Sequence, residues 1–490
     1  MTLPDDATPD AMWRARRPVS AAMFALVVLV AFESFAVTTV MPQVAEVLDG
    51  RALYAFAFAG PLATGVVGMV VAGAWSDRRG PGPPFAAGVV LFVLGLVVAG
   101  AAASMPVLVL GRLAQGLGGG VLNVTLLVVV ARAYPPVLHP RVFAWFSTAW
   151  VLPSVVGPSL AGLVADLAGW RWVFLGVAVL VVPTTVPLLG TVRGAAGSAA
   201  PDRAASAPAG DRAARRVAWA VLVAVAVLAL NVAAQLPAPW SQAVAATAAL
   251  GAVGAMRPLV PRGALRARPG LPAVIATRVL VSGAFFGAQV YVPYLLVDRD
   301  GWGTTASGLG LSTSALAWSV GSVVQGRLGA GLPSRTAVRL GTALVLAGVT
   351  GATLVTALGL PAWALVAVWT ATGAGMGLGS SRLNVLLLGW STPADQGRNS
   401  AANSIADSVG AALALALTGV VFVTAGGADG YAGPAPFVGS FLLTAVLALG
   451  AVLVAGRVGV PPTERRDALT PSGGSAGGSA GSAAPSAPNT

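Results

Sequence analysis

The sequence predicts an all-α integral membrane protein: fourteen transmembrane helices in two pseudo-symmetric six-helix bundles, with two further helices inserted between them. Three observations lead there. The chain is 56% hydrophobic and only 9% charged, against about a quarter charged in soluble domains. Apolar runs of about 20 residues, the length a helix needs to cross a ~30 Å hydrocarbon core, recur along nearly the whole chain. Part of the first run also returns later. Phe35 to Gly50 reads FAVTTVMPQVAEVLDG and Phe286 to Gly301 reads FGAQVYVPYLLVDRDG; at an offset of 251, Phe35, Pro42, Asp49 and Gly50 meet Phe286, Pro293, Asp300 and Gly301. Glu33 meets Ala284, so this ionisable group stands in one half only.

In chain order, residues 1–18 form a polar cytoplasmic segment with Arg14, Arg16 and Arg17 just ahead of the first span. Spans are read at 19–41, 52–74, 84–103, 106–131, 141–165 and 171–191, giving an N-terminal bundle over 19–191. Residues 192–215 are rich in Ala, Gly, Pro and Ser and read as a flexible cytoplasmic linker. Two inserted spans follow at 216–236 and 238–256 (segment 216–256), then a basic cytoplasmic loop at 257–270. The C-terminal bundle, 271–457, holds spans at 271–297, 304–328, 336–358, 361–388, 400–424 and 435–457. Residues 458–490 are expected to form a disordered cytoplasmic tail. The first apolar run is of spanning length and is followed by a second, so it reads as a span and not as a cleaved leader.

The repeat extends past its anchor. Gly68 and Gly73 align with Gly321 and Gly326 at an offset of 253, and Gly116-Leu-Gly118…Leu122-Asn123-Val124 aligns with Gly377-Leu-Gly379…Leu383-Asn384-Val385 at 261. Spans 1, 2 and 4 thus match spans 9, 10 and 12. Eight helices separate each pair, so the halves insert in the same orientation and are related by an axis along the membrane normal. Arginine placement fixes the sides. With the N-terminus inside, 23 of the 29 basic residues, all arginine, fall on the cytoplasmic side; Arg51, Arg171 and Arg299 fall outside, and Arg112, Arg278 and Arg382 lie within spans. That asymmetry is the positive-inside pattern.

Composition also excludes classes of function. There is no cysteine and a single histidine, His139, so neither a thiolate nor a His-ligated metal centre is expected, and no metal is assigned. The net charge of +12 is spread over loops, not clustered on a soluble surface, which argues against a nucleic-acid partner. No nucleophile–base constellation appears, so no enzyme is expected. The chain contains no lysine and therefore no Gly-x-x-x-x-Gly-Lys phosphate loop, which leaves an ion gradient as the energy source.

The residues left to carry chemistry are the polar ones inside spans, since an ionisable group in hydrocarbon is costly and needs a partner or a task. Counting ~1.5 Å per residue, Glu33 lies roughly 12 Å and Arg112 roughly 9 Å below the outer surface, at one level of a central cavity. A guanidinium lowers a neighbouring carboxylate's pKa and desolvation raises it, so such a pair suits proton uptake and release; the plainer reading is a permanent ion pair that fixes packing. Arg382 and Asp407 fit a pair near the cytoplasmic side, read as a lock on one conformation. Arg278 is shallow enough to snorkel to the inner surface. Gln115, Asn123, Gln289 and Asn384 either line a substrate cavity or glue helices together.

Several of these residues fall in recognisable motifs. Gly73-Ala-Trp-Ser-Asp77-Arg78-Arg79-Gly80, between spans 2 and 3, resembles the G-x-x-x-D-R-x-G signature of the major facilitator superfamily. Leu110-Gly-Arg112-Leu-Ala-Gln115-Gly116-Leu-Gly118 resembles the span 4 motif R-x-x-Q-G-x-G, whose arginine the family links to proton coupling. Pro153-Ser-Val-Val-Gly157-Pro158-Ser-Leu-Ala-Gly162 is similar to the antiporter motif G-x-x-x-G-P-x-x-G-G, and Gly169-Trp170-Arg171-Trp172-Val173-Phe174 resembles the start of span 6 in drug exporters. The fourteen-span count resembles the drug:proton antiporter branch. There are departures: Gly80-Pro81-Gly82 lacks a trailing basic pair, Pro153 and Ala161 stand where glycines are usual, and Glu33 sits close to the place of an Asp in the branch's span 1.

The resemblance implies a proton-coupled efflux antiporter that exports amphiphilic or cationic drugs and small molecules by alternating access. Glu33 and Arg112 would couple protons, and Gly73, Asp77, Arg78, Gly80, Arg382 and Asp407 would form conformational gates. Gly157, Pro158 and Gly162 would form the antiporter bend. It implies no cofactor beyond the proton gradient, partners limited to small-molecule substrate, protons and the lipid bilayer, function as a monomer, and residence in the cell inner (plasma) membrane with both termini cytoplasmic. A dedicated exporter of an endogenous metabolite or lipid is the alternative, and a non-transporting membrane scaffold or receptor a more distant one.

Overall fold

The computed structural model describes residues 9–134, 138–197, 210–233, 236, 240–328, 332–391, 396–427 and 433–459. Regular structure among them is helical: α1 (Pro9–Val47), α2 (Phe56–Arg79), α3 (Gly82–Gly100), α4 (Met105–Ala133), α5 (His139–Ala168), α6 (Arg171–Gly197), α7 (Gly210–Ala233) and α8 (Trp240–Met256). There follow α9 (Leu271–Gln289), α10 (Tyr291–Asp298), α11 (Thr304–Leu328), α12 (Ser334–Ala357), α13 (Ala362–Gly389), α14 (Gln396–Thr424) and α15 (Ala435–Ala455). The expected span at 271–297 is interrupted between α9 and α10. Pro293 has no N–H to give the Gln289 carbonyl, and the helix restarts around it. α1 begins at Pro9, inside the segment expected to precede the first span. Half of the expected linker, 198–209, and nearly all of the expected tail lie outside the described residues.

Twelve helices among the described residues are long and apolar enough to cross a membrane. Two stretches read from the sequence as spans are missing from that set. α8 has only 17 residues, and α11 is rich in Ser and Thr. The hydroxyls of α11 are used inside the protein: Ser312 Oγ lies 3.1 Å from Ser159 Oγ on α5, and Thr313 Oγ1 lies 2.7 Å from Thr370 Oγ1 on α13. The helix face that packs on protein can carry hydroxyls, while the other face of α11 keeps Leu309, Leu316, Val320 and Val323 exposed. Elsewhere large apolar side chains such as Leu94, Val179, Val186, Leu250 and Leu453 are exposed, a surface that suits hydrocarbon.

The packing pattern is duplicated. In the first half α1 packs on α5 and α6, α4 on α2 and α3, and α3 on α6; in the second half α9 packs on α14 and α15, α13 on α11 and α12, and α12 on α15. Each pair has its counterpart six-helix position in the other half. The halves meet along two seams, α2 with α14 and α5 with α11, which the same symmetry exchanges. α7 and α8 pack on each other and flank the α2–α14 seam.

Glycine sets the spacing at the equivalent positions picked out by the repeat. A methyl group at Gly116 would overlap the Pro61 carbonyl of α2, and one at Gly377 would overlap the Trp318 carbonyl of α11. Backbone meets backbone at both places, so no side chain can yield. Valine at Gly116 or at Gly377 is expected to cost at least about 1–3 kcal/mol through overpacking, seen as a lower thermal transition of the detergent-solubilised protein. Valine at Gly73, where a Cβ meets open space, should leave that transition nearly unchanged.

Candidate functional site

The first cluster is organised by Pro61. Proline inside α2 leaves the Ala57 carbonyl without its intrahelical donor. Arg112 on α4 supplies one: its Nε donates to the Ala57 carbonyl at 3.1 Å. The same guanidinium donates through Nη1 to Glu33 Oε1 on α1 and to Gln115 Oε1, the latter at 2.6 Å and one turn further along α4. The Glu33 and Arg112 side chains are 5% and 7% exposed. Three helices are therefore tied through one buried cation, and the sequence-predicted pair is in direct contact. Pro61 had drawn no attention in the sequence; its signal is its place four residues after an acceptor beside a buried arginine.

The second half has its own buried arginine, and here the expected partners change. Arg278 on α9 does not snorkel. Its side chain is 7% exposed and donates from Nε to Asn403 Oδ1 at 3.3 Å, and from Nη2 to Asn384 Oδ1 at 2.6 Å and the Ser380 carbonyl at 3.2 Å. Acceptors on α13 and α14 close around it, which removes the reason to reach for water. Asp407 pairs with this arginine, at 3.8 Å from Nη1, and accepts a hydrogen bond from Ser282 Oγ at 2.5 Å. The expected Arg382–Asp407 pair does not form. Asp407 lies against the α9 face that carries Arg278 and Ser282, while Arg382 reaches the Leu332 carbonyl between α11 and α12 at 2.9 Å.

The remaining predicted residues fall in three places. Asp77, Arg78 and Arg79 are exposed at the end of α2, where Gly80 turns the chain at φ +74°, a conformation that glycine adopts without strain. Arg132, at the end of α4, donates to the Ser76 carbonyl at 3.2 Å and acts electrostatically on Asp77. Gly157 packs against Phe32 and Phe35 of α1, whereas Pro158 and Gly162 lie on the seam with α11, against Gly308 and Thr305. The antiporter-like segment thus forms part of the contact between halves. Of the cavity candidates, Gln115 and Asn384 join the two arginine clusters. Asn123 is exposed on α4, and Gln289 ends α9 with its Oε1 buried and unpartnered.

Hydrogen bonds and ion pairs between the two halves, among the described residues, share one end of the molecule. Arg51 binds Asp298 at 3.0 Å, Tyr54 Oη donates to the Val290 carbonyl at 2.6 Å, Thr305 Oγ1 donates to Asp166 Oδ2, and Ser159 faces Ser312. The Tyr54 ring also packs at a tilt against Tyr291 and Tyr294, and those two pack against Phe422 at a tilt and Phe437 edge to face. No pattern in the sequence pointed to this closure, which joins segments far apart in the chain.

Two tests follow from this geometry. Removing Arg112 strands a buried carboxylate, so Arg112→Ala should destabilise the protein by about 3–5 kcal/mol. The double variant Glu33→Gln/Arg112→Ala should recover part of that loss in a double-mutant cycle of detergent melts. Separately, the natural absence of cysteine makes Ser159→Cys/Ser312→Cys a clean cross-link. Oxidation should protect both thiols from maleimide and hold the two halves together at this end, and reductant should restore maleimide labelling.

With the geometry described, comparison with known proteins gives the following. The family model described as Major Facilitator Superfamily matches residues 23–381. A probable multidrug-efflux transporter of Mycobacterium tuberculosis is 28% identical over 417 residues, covering 82% of this chain and 87% of that protein. Multidrug resistance protein 3 of Bacillus subtilis is 28% identical over 148 residues, 30% of this chain and 29% of the other. Among solved structures, a POT family transporter in complex with 5-aminolevulinic acid superposes with a TM-score of 0.66 at 14% identity, covering 90% of this chain and 97% of that one. A D-xylose-proton symporter superposes at 0.59 and 14% identity, with 91% and 99% covered.

Proposed function

The chain belongs to the Major Facilitator Superfamily, and we propose that within it the protein is a proton-coupled antiporter exporting amphiphilic or cationic small molecules by alternating access. The observation that carries the reading is the buried Glu33 carboxylate held on Arg112. A pair out of water is hard to justify by stability alone. When Glu33 takes a proton it no longer balances Arg112, whose remaining acceptors are Gln115 on α4 and the Ala57 carbonyl on α2. The tie to α1 weakens while the tie between α2 and α4 persists. That difference is what a proton needs in order to bias one conformation over another.

Relatives named as probable multidrug-efflux transporters support the direction and the breadth of transport, and one named as a multidrug resistance protein supports the breadth. The arginine distribution supports a plasma-membrane orientation with both termini cytoplasmic. In that orientation the ties from Arg51 to Asp298 and from Tyr54 to Val290 lie on the outer side, so this conformation is closed outward. Counting α8 and α11 with the twelve more apolar helices gives fourteen spans, and one chain carries both six-helix halves, as a functional monomer requires. The Asp77 turn, held to α4 by Arg132, serves as the inner gate.

The test is dye uptake into proteoliposomes under an imposed pH gradient, with wild type beside Glu33→Gln. Gradient-driven uptake in the wild type and its loss in the variant is the expected result. Undiminished gradient-driven uptake by Glu33→Gln would remove Glu33 from the coupling site.

A further inference from the structure

We propose that Asp407 is the counter-charge for the cationic group of the substrate, a site separate from Glu33, with Arg278 as its positioning residue. The inference rests on the export reading above and adds where the cargo is held. The two membrane carboxylates stand in opposite situations. Glu33 is sealed at 5% exposure and bound directly to its arginine. Asp407 is 39% exposed and stays 3.8 Å from its arginine, beyond hydrogen-bonding distance.

The reason for that gap is that Arg278 is already occupied. Asn403, Asn384 and the Ser380 carbonyl take its Nε and Nη2 donors. Ser282 engages Oδ1 of Asp407, and Oδ2 has no hydrogen-bond partner among the described residues. Arg278 is the charged group found within 4 Å of this carboxylate among those residues. Asp407 is eight residues into the Asn399–Thr424 span, roughly 12 Å from its end. A carboxylate 39% exposed at that depth is not tolerated against lipid, so its open side faces water between the halves. α14, which carries it, is also the helix that the second half presents to α2.

The ligand chemistry follows. One carboxylate with one free oxygen is too few ligands for a metal ion, and the nearby arginine repels compact, strongly hydrated cations. A large organic cation with spread charge meets Asp407 electrostatically and rests its apolar body on the surrounding helices. Glu33 would then serve the proton and Asp407 the cargo, on different halves of the molecule.

The experiment measures equilibrium binding of tetraphenylphosphonium to the purified full-length chain in detergent, with no gradient present. Asp407→Asn should weaken binding by about tenfold or more, Asp407→Glu should stay within about threefold, and Glu33→Gln should bind like the wild type. Binding of the neutral dye Nile red, equal in wild type and Asp407→Asn, shows that the variant is folded. Wild-type affinity in Asp407→Asn, or no binding by the wild type, overturns the proposal. Because no pH gradient is used, loss of proton coupling in the uptake assay leaves this result intact, and failure here leaves the coupling role of Glu33 standing.

Discussion

Inside a membrane no solvent repairs a missing hydrogen bond, and the Ala57 carbonyl is where this structure meets that constraint most directly. Pro61 takes away the donor the carbonyl would have had in an uninterrupted helix. The replacement is Arg112, a buried cation, and a buried cation in turn requires a buried anion, which Glu33 supplies from α1. One proline in α2 therefore accounts for the meeting of α1, α2 and α4 at a single ionised point. The glycines at 116 and 120 bring α4 close enough to α2 for the arginine to reach.

The second half solves a related problem with the signs exchanged. There the first helix of the bundle, α9, carries the arginine and amide oxygens on α13 and α14 receive it. Both halves join their first and fourth helices through a guanidinium, yet only one closes the pair completely. The duplicated packing supplies two equivalent frames, and divergence within those frames supplies two unlike carboxylates.

The frames were legible in the sequence because close helix packing leaves glycine at fixed positions: the aligned Gly116 and Gly377 each meet backbone of the second helix of their own half, Pro61 in one and Trp318 in the other, one helical turn apart by the repeat. The Glu33–Arg112 contact was legible because each residue was the lone ionisable group of its span, at matching depth. The partner of Asp407 was not. Arg278 and Arg382 lie at comparable depths, and the choice between them depends on how α9 and α13 are rotated about their axes, which hydropathy does not record. Span counting had a similar limit at α11, whose serines and threonines reduce its apolar character because several of them bond to α5 and α13. The Tyr54 cluster was invisible for another reason: it joins segments more than 200 residues apart and is built from residues that look ordinary in either segment alone.

The placement of α7 and α8 makes a symmetric frame one-sided. The two seams between the halves are equivalent by the repeat, but α7 lies against both α2 and α14, while among the described residues no inserted helix packs along the α5–α11 seam. For a solute dissolved in the bilayer the two flanks are different surfaces. One is screened by an extra hairpin, and the other presents Gly162, Pro158 and Gly308 at the line where the halves touch. The unscreened flank is thus the one whose line of contact is set by small residues.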